Sequence, residues 1–208
     1  MELIDHLWRD LDRLSRAGAR PVEVLADPGT WVVLTYRLGR AMRRLPRLLR
    51  LPARCAHKPF ELLAGTLAGV ALPASAEVGG GLRLGRVGGI RVAPETYIGR
   101  DCDLGEGVTI ASSSSGAPWI GDRVQIGPGA RLIGPIRVGN DAAIGPNAVV
   151  ETDVPDGATV AGIPARIAAG SGSRGLLVPG RKRPPLFDAI RGMVRGFLPR
   201  PTQLLLRA

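Results

Sequence analysis

Near neutral pH an imidazole can take a proton from a hydroxyl or amine nucleophile, and this chain carries only two, His6 and His57. Both fall in its first 60 residues. His57 stands in Cys55-Ala-His-Lys-Pro59, where an ordinary surface or hydrogen-bonded histidine is the simpler reading. The two cysteines, Cys55 and Cys102, form no CxxC pair and can complete neither a four-ligand zinc site nor a disulfide framework. Reduced thiols and no metal are expected, with Cys102 a small buried hydrophobe rather than a nucleophile. The run Ser112 to Ser115 lacks the G-x-S-x-G turn that activates a serine, and reads as part of a flexible loop.

The elements that would position such groups are set by composition and period. The chain of 208 residues is one domain with room for terminal extensions. Aromatics at 4% with 29 Gly and 18 Pro suit many tight turns packed by small aliphatics, not a helical bundle or sandwich. Residues 1–60 hold 12 Lys+Arg against 6 acids, residues 61–170 hold 8 against 11, and residues 171–208 hold 8 against 1, so the net +10 resides in the flanks. Neither flank has a nucleic-acid fold signature or an aromatic stacking platform, and no nucleic acid is expected. Acids in Met1-Glu-Leu-Ile-Asp5 argue against a secretory signal. The 15 uncharged residues Leu62–Ala76 fall short of the roughly 18 to 20 that span a bilayer. A cytoplasmic protein is expected, or one peripheral on the inner face of the membrane.

Leu3, Leu7, Leu11 and Leu14 predict a helix ending near Gly18, with Asp5, Asp10 and Asp12 facing away. A second helical pattern runs through Trp31, Leu34, Leu38, Met42 and Leu45, with Arg37, Arg40, Arg43, Arg44, Arg47 and Arg50 on the remaining face. No acid occurs between Asp27 and Glu61. That basic face, over residues 31–50, is either solvated, a membrane-surface element or a partner-docking element. After the linker Gly170-Ser-Gly-Ser173, residues 186–198 form a second basic amphipathic helix, with Leu186, Phe187, Ile190, Met193, Val194, Phe197 and Leu198 on one side and Arg191 and Arg195 on the other. It binds a membrane, a partner or its own core.

A six-residue repeat fixes the fold. Ile120, Ile126, Leu132, Val138, Ile144 and Val150 follow one another at a spacing of six, which matches neither a helix nor a flat strand. An earlier block has Ile98, Leu104 and Ile110, and Val78, Leu84 and Ile90 form another, two residues out of phase. The position two before each aliphatic is small or aliphatic, as at Cys102, Val108, Val124, Ala130 and Ala142. Such repeats build a parallel β-helix in which three hexapeptides complete a triangular coil. Residues 78–155 should supply four to five coils, and the ten residues from Ile110 to Ile120 a protruding loop.

Gly105-Glu-Gly-Val-Thr-Ile110, Ile120-Gly-Asp122, Ile126-Gly-Pro-Gly-Ala130, Ile144-Gly-Pro-Asn-Ala-Val-Val150, Asp153-Val-Pro155 and Gly162-Ile-Pro-Ala-Arg166 resemble the serine acetyltransferase branch of the hexapeptide acyltransferases, which also includes polysaccharide O-acetyltransferases. The resemblance implies a mainly β protein, a left-handed parallel β-helix over 71–168 with an N-terminal α-helical region at 1–70 and a C-terminal linker and basic amphipathic helix at 169–208. It further implies a homotrimer, with acetyl-CoA as co-substrate between subunits. In that family a histidine on the coil face deprotonates the acceptor hydroxyl, a carboxylate orients it, and a second histidine from the loop holds substrate.

This chain departs from that set. The family writes Leu-Asp-His-x-x-Gly-Ile where Leu84-Gly-Arg-Val-Gly-Gly-Ile90 stands, so the acid and base positions are Gly85 and Arg86. The orienting carboxylate aligns with Ala71, and the loop His-Pro with Ala117-Pro118. Arginine stays protonated and cannot replace the base, though Arg86 can bind an anion. Glu95 and Glu106 are the candidate replacement carboxylates. On the coenzyme side Arg166 suits a phosphate and Ala130 is placed in the cleft, whereas Pro128 and Pro146 each remove an N–H donor and Thr152 fills a position often basic. Two readings follow: a non-catalytic trimeric scaffold or regulator with a degenerate site, or an active O-acetyltransferase on serine or a polysaccharide using a carboxylate base. The chain's end, Leu205-Leu-Arg-Ala208, lacks the isoleucine by which family members dock on the next enzyme of cysteine synthesis, so that complex is not expected.

Overall fold

Each hexapeptide folds as a strand of two or three residues and a turn, and the strand's alternation sends its aliphatic inward. The computed structural model describes residues 2–16, 28–43, 46–85, 88–168 and 172–174. Its strands form three faces of a prism. The first holds β1 (Val70–Ala71), β4 (Ile90–Val92), β7 (Thr109–Ala111), β10 (Arg131–Ile133) and β13 (Val149–Val150). The second holds β2 (Glu77–Val78), β5 (Tyr97–Ile98), β8 (Trp119–Ile120) and β11 (Arg137–Val138). The third holds β3 (Arg83–Leu84), β6 (Asp103–Leu104), β9 (Gln125–Ile126), β12 (Ala143–Ile144) and β14 (Thr159–Ala161), closed by the antiparallel β15 (Arg166–Ala168). All other pairings are parallel, and the whole is a left-handed β-helix. Inside, Ile98 stacks on Ile120 and Leu104 on Ile126, every one at most 1% exposed, each contributing about 1.5–3 kcal/mol of burial.

The phase breaks resolve differently from the sequence pattern. Val92, not Ile90, lies over Ile110, so Val92 occupies the repeat position and Ile90 the inward position two before it. The surplus residues are absorbed before β4, at the turn containing Gly88 and Gly89, both at positive φ. The surplus after Ile110 closes as a turn: Ser113 N donates to Gly116 O at 2.8 Å and Gly116 N to Ser113 O at 3.2 Å. The coils also begin earlier than residue 78, since β1 pairs with β4 from Val70.

Among the described residues, three helices pack on the first coils: α1 (Glu2–Arg16), α2 (Pro28–Met42) and α3 (Arg47–Ala68). Asp10 of α1, expected to face away from the core, is instead buried, its Oδ1 accepting from Gly81 N at 2.6 Å and Leu82 N at 2.9 Å. Those corner N–H groups need an acceptor, and α1 brings one. Arg37, expected on a face that is solvated or docks on a membrane or partner, is buried beside it, donating to Val78 O at 2.6 Å and Gly79 O at 2.5 Å. Burial on α2 therefore follows Val32, Val33, Tyr36 and Arg37, while Trp31 and Leu38 of the expected stripe are exposed. Tyr36 joins the same seam, its hydroxyl donating to Ala76 O at 2.8 Å and accepting from Val78 N at 3.0 Å. The second helical pattern thus stops at Met42, and a separate helix, α3, follows with Pro52 and Pro59 inside it. Of the linker, Gly172 and Ser173 are buried against the coil, Ser173 N donating to Asp141 O at 2.8 Å. The predicted helix at 186–198 lies outside the described residues.

Candidate functional site

The outward positions of the first face align one above another as Ala71, Arg91, Thr109, Arg131 and Val149. Two edges of the prism flank them. The turns leading from the third face to the first carry Gly85, Glu106, Pro128 and Pro146, one per coil. The turns leading from the first face to the second carry Glu95, Ala117 and Thr152. The coil therefore gathers most of the sequence-derived candidates around one face but splits the two candidate carboxylates between its edges.

At the top of this face is a cleft of about 690 Å³ between coil and helices, lined by Ala71, Gly89 and Arg91 from the coil, Thr35 from α2, and Glu61 and Thr66 from α3. Ala71 offers only a methyl group there. Among the described lining residues Glu61 is the one carboxylate, and Lys58 Nζ lies 3.2 Å from its Oε2. Sequence reasoning missed Glu61 and Arg91. The available signal was Arg91's place directly before Val92, an outward position once the phase is read correctly.

Below the cleft, Gly85 is confined. A Cβ there would lie 3.1 Å from Leu104 O and 3.1 Å from Glu106 N, so a side chain fits only if that backbone gives by a few tenths of an ångström. Arg86 lies outside the described residues. Glu106 follows Gly105 one coil below, exposed, as Glu95 is at its own turn. Ala117 is half-buried at the end of the closed turn, followed by the buried Pro118.

The two histidines are elsewhere. His6 on α1 packs against the turn at Gly80, its Nδ1 3.4 Å from Arg37 Nη1. His57, expected at the surface or hydrogen-bonded, is buried on α3 against Gly39, its Nε2 without a hydrogen-bond partner among the described residues. Cys102 is fully buried, and desolvation pushes its thiol up to about 12, so it stays an unreactive SH.

Down the Gly85 edge the backbone is largely spoken for. Gly107 N donates to Gly88 O, Gly129 N to Glu106 O and Asn147 N to Pro128 O. Pro128 and Pro146 are exposed there and have no N–H to offer. Ala130 does not belong to this surface: its side chain is fully buried, its N donates to Gly127 O and its O accepts from Thr109 N. The inward period that makes Ala130 fit the core keeps its methyl group off the outer surface. Thr152 is exposed, and Arg166 is exposed on β15, opposite Ala161. Among the described residues Arg166 makes no ion pair.

A prism of hexapeptide coils is the fold of the hexapeptide transferase class, and the family model for bacterial transferase hexapeptide (six repeats) matches residues 117–152. The serine acetyltransferase of Helicobacter pylori J99 is 34% identical over 147 residues, covering 69% of this chain and 82% of its own length. That of Mycobacterium tuberculosis is 34% identical over 148 residues, 69% of this chain and 62% of its own. The crystal structure of the Neisseria gonorrhoeae serine acetyltransferase in complex with serine superposes with a TM-score of 0.70 at 26% identity, over 80% of this chain and 69% of that one. A serine acetyltransferase complex with CoA gives 0.67 at 28% identity, over 80% and 70%. The chain belongs to the serine acetyltransferase family.

Proposed function

We propose that the chain is a family member whose acetyl-transfer site has lost its acid–base pair, and that it works as a trimeric scaffold or regulator in the cytoplasm. The observation that carries the reading is the placement of His6 and His57 in helix packing, with methyl and hydrogen at Ala71 and Gly85. Acyl transfer to a hydroxyl needs a group that accepts its proton. An arginine at 86 supplies a fixed cation instead. The coenzyme edge fits CoA only in part: Arg166 can pair with a phosphate, whereas Pro128 and Pro146 give no donor.

A second reading, an active O-acetyltransferase on serine or a polysaccharide, draws support from Glu106, whose backbone N lies 3.1 Å from the Gly85 Cβ position. The test is thiol release from acetyl-CoA with serine as acceptor. The parent chain should release no thiol above buffer. Ala71→Asp, Gly85→Asp and Arg86→His together should raise release if the lost pair is the only defect. Release by the parent that disappears in Glu106→Gln or Glu95→Gln would overturn the scaffold reading. Light scattering should give about three times 21.9 kDa.

A further inference from the structure

We propose that the outward face of α3, from Leu51 to Leu67, docks this protein on an anionic lipid bilayer. Helical spacing gathers Leu51, Cys55, Pro59, Leu62, Leu63 and Leu67 on the side of α3 opposite buried His57 and Ala68. Leu51, Phe60, Leu62, Leu63 and Leu67 are between 58% and 71% exposed. This uncharged face runs for about 25 Å. It continues into an apolar furrow of about 460 Å³ between α2 and α3, lined by Pro28, Trp31, Phe60, Leu63 and Leu67. A face of this size is a docking surface rather than scattered surface leucines.

Charge selects the occupant. Arg44, Arg47, Arg50, Arg54 and Lys58 fall within fifteen residues, with no acid before Glu61. Positions 47, 54 and 58 share one flank of the helix, beside the apolar face and not within it. Cations flanking a leucine and phenylalanine face are what an in-plane helix needs among acidic headgroups. The chain's own basic tail, with 8 Lys+Arg and 1 acid over 171–208, would meet like charge there. So would a second copy of the same face. Among the described residues no helix is long and apolar enough to cross a membrane, which is consistent with a helix lying in the plane.

The test is co-sedimentation of the full chain with vesicles of phosphatidylcholine alone and with about 30% phosphatidylserine. Binding is expected only to the anionic vesicles, falling as salt rises from roughly 0.05 to 0.5 M. Leu63→Asp with Leu67→Asp replaces exposed side chains and should weaken binding at least about tenfold. Arg191→Glu with Arg195→Glu, in the tail, should weaken it far less. Leu62→Trp should gain fluorescence quenching by brominated acyl chains relative to the parent. Parent-like sedimentation of the Leu63/Leu67 variant, no added quenching in Leu62→Trp, or loss of oligomer mass in the Leu63/Leu67 variant would each overturn the proposal, the last by assigning the face to a contact between copies.

Discussion

Asp10 of α1 and Arg37 of α2 meet at the first coil's corner, Arg37 Nε donating to Asp10 Oδ2 at 3.0 Å and Arg37 Nη2 to Asp10 Oδ1 at 3.2 Å. Both are almost fully buried and both also bond coil backbone, so the pair joins two helices to the β-helix.

Removing one partner leaves the other as an uncompensated buried charge. Asp10→Ala should destabilise the fold by about 3–5 kcal/mol, whereas Asp10→Leu with Arg37→Met should cost less than the single change. Urea unfolding of the three proteins measures the difference.

Corner packing gives a second contrast. A Cβ at Gly105 would lie 2.6 Å from Pro128 N, while one at Gly157 meets nothing within 4 Å but sits at φ +65°. Gly157→Ala should cost about 1–2 kcal/mol for the left-handed backbone alone. Gly105→Ala should cost more, because the backbone of the next coil has to move. Thermal unfolding of both variants decides; equal losses would mean that the coils separate easily at this edge.

Cysteine reactivity should divide cleanly. Cys55 is exposed and Cys102 is buried with its thiol held near 12. Native iodoacetamide labelling followed by mass spectrometry should modify Cys55 alone, with Cys102 reacting only after unfolding.

Acid stability follows from Asp141. The hydrogen bond from Arg123, Nε to Oδ1 at 2.7 Å, holds its carboxyl below the usual carboxylate value despite some desolvation. A group whose pKa falls on folding contributes stability above its unfolded value of about 3.9, and loses it as pH drops through the lower folded value. Asp141→Asn should therefore be less stable than the parent at pH 7, and the gap should close at acid pH, once the carboxyl is protonated in the folded state as well. The effect is small, because both side chains are partly exposed. Guanidinium unfolding at the two pH values reads it.

The coil itself was legible in the residues. Aliphatics at a spacing of six specify one inward position per strand, and Ile120 through Val150 all lie at that position in the fold. The small side chains at Ala71, Gly85 and Ala117 were equally legible, because a residue's type is a fact of sequence. Tertiary structure alone decided the phase at Val92, since a two-residue surplus can be absorbed before or after Ile90 and only pairing with Ile110 chooses. It also placed Ala130 inside the coil, with both its backbone groups bonded there. The helices carried the weakest signal: Pro52 and Pro59 mask α3. Asp10 and Arg37 look like surface charges until they are brought to a corner whose N–H and carbonyl groups they satisfy. Periodicity reports which face a residue shares with its neighbours along the chain, while burial of a charge depends on a partner many residues away.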